Sequence, residues 1–297
     1  WLTITRAPFL TAAAVPVFIG AAWAWFQHPE LWSPWLALAS LVGAAALQVA
    51  ANTFNDYYDW VSGTDPANDS YFEGLTGGSR TIERDIISEE GMFRTGLAAS
   101  GVATAIGDLL IWVRGWPIVA FGAVGLGTAF FYTAPPLRLV AQKGLGELFV
   151  GLNFGPLIVA GTAFTITGQF GYTDLLLGIP IGLLTTAILW ANEFPDAESD
   201  AKTDKNHIVV TLGKPLASWG YVAVVATAYL FVGLGVGLGW FPLGALGFGA
   251  GLPFAIHAMH GVIKHFDDPE LKKACQSTIQ MHLVSGLGMT AGLIFIG

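Results

Sequence analysis

Apolar residues run along this chain in blocks of about 20, each closed by charged residues or by Gly and Pro, and the blocks recur almost from end to end. A helix of that length spans the ~30 Å hydrocarbon core of a bilayer. The pattern predicts membrane helices near residues 7–26, 34–56, 93–113, 116–133, 144–167, 172–194, 216–238, 241–263 and 278–296. Nine spans in one all-α, polytopic membrane domain covering 1–297 are therefore expected. Between the second and third blocks lies the longest polar stretch, roughly 57–92, rich in Gly, Ser, Thr, Asp and Glu. A connection of that length is usually functional or disordered, and here it is expected to act as a lid.

Composition agrees with a bilayer setting. Residues are 54% hydrophobic and 11% charged, against roughly 25% charged in soluble domains. The net charge of -8 excludes a general nucleic-acid surface, which needs a basic stripe to displace counterions. The single Cys275 rules out an intrachain disulfide and reads as a small apolar residue. Arg6 precedes a stretch broken by Pro8 and Pro16 with no small-residue cleavage site, so no signal peptide is expected. When alternate connections are placed on opposite sides, 12 of the 13 Lys and Arg residues fall on one face and only Arg114 on the other. Basic residues favour cytoplasmic loops, which puts the N-terminus and most acidic residues on the cytoplasmic side of what is expected to be a prokaryotic cytoplasmic membrane. Trp23, Trp25, Trp32, Trp35, Trp112, Trp116 and Trp240 then form an outer aromatic belt. The glycines of Gly233-x-Gly-x-Gly-x-Gly239 are expected to pack helices together, since no strand accompanies them to make a nucleotide fingerprint.

Two motifs carry chemistry. Asn52, Asp56 and Asp59 end the second block, and spacings of four and three residues stack them on one helical stripe, where their oxygens can converge on a cation. Asn55 lies beside them and Asp65 follows Gly63. At the end of the sixth block Asn192, Asp196, Asp200 and Asp204 recur every fourth residue, with the period drifting enough to carry Asp204 past a metal. Pro195 is expected to open the last turn there. Both segments read Ala-Asn-x-Phe-x-Asp, four spans apart, as an internal repeat would (34–59 and 172–200). Helix-end solvation with pairing to Lys202 or Lys205 would explain one acidic set, but two matched sets at one membrane face are what a diphosphate with Mg²⁺ needs. Arg80, Arg138, Lys143 and Lys205 share that face and suit phosphate oxygens, although topology alone would also put them there. Asp108 is expected to be solvated near the outer end of its span. No histidine metal site is expected, and His207, just after the second motif, is placed near substrate.

At these residues the chain resembles the UbiA superfamily of intramembrane prenyltransferases, over nearly its whole length. The resemblance implies an all-α bundle of nine helices around a central cavity, Mg²⁺ as cofactor, and Asn52, Asp56, Asp59, Asp196 and Asp200 as its metal-binding positions. Asn55-Asp56-Tyr57-Tyr58-Asp59, Gly77-Gly78-Ser79-Arg80, Tyr132-Thr133-Ala134-Pro135-Pro136-Leu137-Arg138, Gly144-Leu145-Gly146-Glu147 and Asn192-Glu193 look most like the MenA branch. That branch implies a polyprenyl diphosphate donor and 1,4-dihydroxy-2-naphthoate as aromatic acceptor, with Asn192, Asp204 and Tyr132 near substrate. Asp204 where that branch often has glycine, and the missing Tyr-x-x-x-Lys of some relatives, leave other acceptors open: chlorophyllide, homogentisate, hydroxybenzoate or a glycerol phosphate lipid. A cation transporter or a silent subunit of a membrane complex is the rival outside enzymes; homo-oligomer partners are also open.

Overall fold

The computed structural model describes residues 2–296, apart from the side chain of Pro8; Trp1 and Gly297, the ends of the expected domain, lie outside the described residues. Among the described residues nine apolar helices follow one another: α1 (Thr11–Gln27), α2 (Pro34–Val61), α3 (Glu89–Arg114), α4 (Pro117–Phe131), α5 (Leu145–Thr167), α6 (Tyr172–Lys202), α7 (Lys214–Gly237), α8 (Leu243–His265) and α9 (Leu271–Phe295). No strand is present among the described residues. Seven of these helices are long and apolar enough to cross a bilayer; α1 and α4 are shorter apolar helices of 17 and 15 residues. The protein is an integral membrane protein by this architecture.

Helix ends differ from the hydropathy pattern in a consistent way. α2 runs five residues beyond the predicted limit, α6 eight, and α9 begins seven earlier, because the extra turns carry charged and polar residues that end the apolar block without ending the helix. The break expected between 113 and 116 includes Gly115, whose φ of 82° no β-carbon residue adopts readily.

α6 is the axis of the bundle, with 72% of its most apolar window buried, against 17% for α3. Its first turn is pinned by Asp174, whose Oδ2 accepts from the Gly171 N–H at 2.8 Å and whose Oδ1 accepts from Trp23 Nε1 at 2.7 Å. Trp23 is thus a buried strut between α1 and α6, not part of an outer belt, whereas Trp25, Trp35, Trp112 and Trp116 are exposed as that belt requires. Helices α5 and α6 meet backbone to backbone at their glycines: a β-carbon on Gly178 would lie 2.6 Å from the Gly155 carbonyl carbon, and one on Gly182 would clash with the Gly151 carbonyl oxygen. The Gly233–Gly239 run does not serve this purpose. Only Gly235 abuts a neighbour, the Phe241 ring; β-carbons on Gly233, Gly237 and Gly239 would meet nothing within 4 Å.

Two prolines shape the helices near the site. Pro156 sits in a π-helical turn, Asn153–Leu157, inside α5, where it cannot donate to the fourth residue back. Pro195 does not open α6, which continues as helix to Lys202. The carbonyl that Pro195 leaves without its N–H is that of Ala191, and the Cys275 thiol of α9 donates to it at 3.5 Å. Cys275 therefore does more than fill space. At the opposite end, Arg114 donates to the Thr165 and Ile166 carbonyls at 2.7 and 2.6 Å, closing the end of α5. Asp108 is exposed on α3.

Candidate active site

The polar ends of α2 and α6 face each other across a cavity of about 380 Å³ whose walls include α2, α3, α4, α5 and α6. Asn52, Asn55 and Asp59 enter it from α2; Asn192, Glu193, Asp196 and Asp200 enter from α6. Asp65, Tyr132, Lys205 and His207 complete its polar end.

The acidic residues are held by partners drawn from distant parts of the chain. Asp56 pairs with the Arg6 guanidinium and accepts from the Ser79 N–H at 3.2 Å, while its Oδ2 is buried with no hydrogen-bond partner. Asp59 accepts from Asn55 Nδ2 at 2.9 Å and from Lys205 Nζ at 3.0 Å. Lys205 also lies 3.6 Å from Asp200, so one ammonium spans both acidic sets. Burial opposes that charge, but Asp200 and Asp59 outweigh it and raise Lys205 well above the usual lysine range. Asp196 accepts from Asn68 Nδ2 at 2.8 Å and from the Gly77 N–H at 3.2 Å. Asp65 lacks so close a cation; burial and the nearby Asp59 and Asp56 push its carboxyl up to about 8.

The 62–88 connection is laid over the acids. Gly77 and Gly78 both adopt φ above 70° or at it, which turns their peptide groups toward the carboxylates, and a β-carbon on Gly78 would sit 3.1 Å from Asp65 Oδ2 and 3.2 Å from Asp56 Oδ1. Arg80 braces this cover from behind. It donates to the Asp65 and Asn68 carbonyls at 2.5 and 3.1 Å and stacks 4.1 Å from the Tyr71 ring centroid. Arg80 is thus buried in the cover and does not line the cavity; Arg138, Lys143 and Asp204 do not line it either. Lys143 and Asp204 are exposed, and Asp204 stands past the end of α6 with φ 56°.

Behind Asp200 is a buried group that sequence reading did not assemble: Glu147 from α5, Glu193 from α6 and His207, with ligand atoms within 4.8 Å of one another. His207 Nε2 lies 3.2 Å from Asp200 and Nδ1 3.4 Å from Glu193. Burial disfavours the imidazolium, yet Glu193 and Asp200 push His207 up to about 10. The ring stands between Glu193 and Asp200, where an imidazolium would repel a metal cation. Glu147 Oε1 accepts from the Ile208 N–H at 2.6 Å, fixing the chain just after His207. Glu147 and Glu193 were visible in the quoted Gly-Leu-Gly-Glu and Asn-Glu segments. Arg6 and Asn68 offered no signal, because nothing in their neighbourhoods marks a partner about 50 or 130 residues away.

The donor set suits a hard divalent cation. Four carboxylates and the amides of Asn52 and Asn192 supply oxygens, and two of those oxygens, Asp56 Oδ2 and Asn192 Oδ1, are buried without a partner.

Comparison with known proteins bears on this geometry. The model of the UbiA prenyltransferase family matches residues 13–284. A 1,4-dihydroxy-2-naphthoate octaprenyltransferase of Bacillus subtilis is 29% identical, covering 98% of this chain and 91% of the relative. A 2-carboxy-1,4-naphthoquinone phytyltransferase of Synechocystis is 28% identical, covering 100% and 94%. Among solved structures, a UbiA homolog from Aeropyrum pernix superposes with a TM-score of 0.67 at 16% identity, covering 96% of each chain. One from Archaeoglobus fulgidus bound to DMAPP and Mg²⁺ gives 0.63 at 15%, covering 98% of each.

Proposed function

The chain belongs to the UbiA prenyltransferase family, and we propose from this premise that it transfers a polyprenyl group from an allylic diphosphate to 1,4-dihydroxy-2-naphthoate, with Mg²⁺ as cofactor. The observation that carries the proposal is the facing of Asp59 on α2 and Asp196 and Asp200 on α6 at the polar end of a cavity whose remaining walls are mostly apolar. The naphthoate-directed relatives support the acceptor class. It is an enzyme, which sets aside the transporter and silent-subunit alternatives.

In this mechanism Asp56, Asp59, Asp196 and Asp200, with Asn52 and Asn192, hold the cation. When bound, Mg²⁺ supplies positive charge against the departing diphosphate. Lys205 lies between the two sets and faces the same oxygens, and the peptide groups of the 77–79 cover exclude water from above. The apolar walls hold the tail and keep the polar end at low dielectric, which strengthens each of these charges. As the C–O bond breaks, the diphosphate takes the electron pair and an allylic cation remains. The ring carbon bearing the acceptor carboxylate forms the new C–C bond, and loss of carbon dioxide returns an electron pair to the ring. Tyr132 and Asn55 line the cavity where that ring would lie, and Asp65 and Asn192 flank it.

The proposed setting is a nine-span chain in a prokaryotic cytoplasmic membrane, with N-terminus and acidic sets facing the cytoplasm. The test is Mg²⁺-dependent transfer of radiolabelled geranylgeranyl diphosphate to 1,4-dihydroxy-2-naphthoate by the purified chain, beside hydroxybenzoate, homogentisate and chlorophyllide. Prenylated naphthoquinol is the expected product. Product from another acceptor alone would replace the acceptor, and no diphosphate release in any tube would overturn the proposal.

A further inference from the structure

The cavity extends far beyond the acids. Its lining follows α2 from Asp59 to Ala39, 20 residues or about 30 Å of helix at 1.5 Å per residue. Its outer stretch is lined by Leu110 and Ile118, which belong to a small apolar cluster with Phe164. Between the two ends the wall carries Gly107 of α3 and Gly122 of α4. A β-carbon on either would meet nothing within 4 Å, so their missing side chains leave space that no neighbour occupies.

The depth of these glycines follows from their neighbours. A β-carbon on Gly43 would lie 3.3 Å from Ile106 Cγ2, which sets Gly107 level with Gly43, about 24 Å from Asp59 along α2. A β-carbon on Gly125 would lie 3.1 Å from Leu47 Cδ1, and Gly122 is one turn farther out, roughly 22 Å from Asp59. Four backbone bonds of about 1.5 Å allow each five-carbon unit of a prenyl tail to advance roughly 5 Å. A two-unit tail therefore ends well short of the glycines, a four-unit tail reaches them, and an eight-unit tail of about 40 Å must pass them and emerge from the corridor.

We propose that Gly107 and Gly122 set which donor lengths this enzyme accepts, by leaving open the outer part of the corridor to tails of more than about four isoprene units. The proposal rests on the prenyl-transfer reading above and adds the donor's length to it. Neither residue touches the reacting atoms; they act by the volume they leave empty.

The experiment compares kcat/KM for donors of two, four and eight isoprene units in the parent chain, in Gly107→Leu and Gly122→Leu, and in Gly101→Leu and Gly127→Leu. The last two glycines lie on the same helices, also meet nothing within 4 Å, and do not line the cavity. Expected is a loss of at least tenfold with the eight-unit donor in G107L and G122L, with the two-unit donor within twofold of the parent and both control variants unchanged. Should either leucine abolish all turnover, Gly107→Ala and Gly122→Ala must still lower the eight-unit to two-unit ratio severalfold. Equal losses with every donor, or an unchanged ratio, would overturn the proposal. A parent chain that transfers no donor of any length would instead overturn the prenyl-transfer reading.

Discussion

Lys205 Nζ lies 3.0 Å from Asp59 of the first acidic set and 3.6 Å from Asp200 of the second. One ammonium therefore offsets repulsion between carboxylates on two different helices and competes with metal for the same oxygens. Lys205→Met is expected to tighten apparent Mg²⁺ affinity severalfold while raising the KM for the diphosphate donor. Titrating Mg²⁺ and donor separately checks this, because a purely structural role would weaken both.

Asp196 has both oxygens engaged, by Asn68 and by the Gly77 N–H. Asp196→Asn keeps the shape and removes the charge. Turnover at saturating Mg²⁺ is expected to fall by roughly 10³, the scale of losing a preorganised charge-stabilising group, with helix content unchanged by circular dichroism. The same loss is expected for Asp56→Asn, and chelation should abolish parent activity until Mg²⁺ is restored. Near-normal turnover in either variant would remove these residues from the metal set.

The Cys275 thiol and Pro195 are linked through the Ala191 carbonyl. Cys275→Ser can still donate and should leave stability close to the parent, whereas Cys275→Val leaves a buried acceptor unpaired at a cost of about 1 kcal/mol or more. Pro195→Ala supplies the missing helix N–H, so the valine should cost less in that background. A double-mutant cycle on thermal midpoints measures the coupling, and strict additivity would disprove the link.

Because His207 is pushed up to about 10 in the folded chain, against about 6.5 for an unfolded histidine, it contributes stability that is fully present below pH 6.5 and lost as pH rises through 10. In chelator-treated protein the gap in thermal midpoint between parent and His207→Gln should be widest near pH 6.5 and close by pH 10. A gap that grows with pH would show that the ring is neutral in the folded state.

The helices and both acidic sets could be read from the chain because each is a local pattern: an apolar block, or oxygens at spacings of three and four. Polar turns hid the true ends of α2 and α6 for the same reason, since hydropathy stops where the chemistry begins. What could not be read depends on pairs far apart in sequence. Arg6 reaches Asp56, Asn68 reaches Asp196, and Glu147 reaches the backbone beyond His207, none with a spacing that announces it. Trp23 and Arg80 misled in a similar way, because a tryptophan near a helix end and an arginine after two glycines have common roles at a surface, and the fold buried both.

The seam between α5 and α6 places an unusual steric demand in mid-membrane. Glu147 rides on one helix and Glu193 and Asp196 on the other, and their mutual register is set where Gly151 and Gly155 lie against Gly178 and Gly182. Gly182 is 11 residues from Glu193, about 16 Å along the helix, so a single added methyl group at that seam would act through a lever and reach the acids as a displacement. Tolerance to substitution should therefore be poor at four positions that never meet substrate, and better among the exposed lysines and arginines on the charged face beside it.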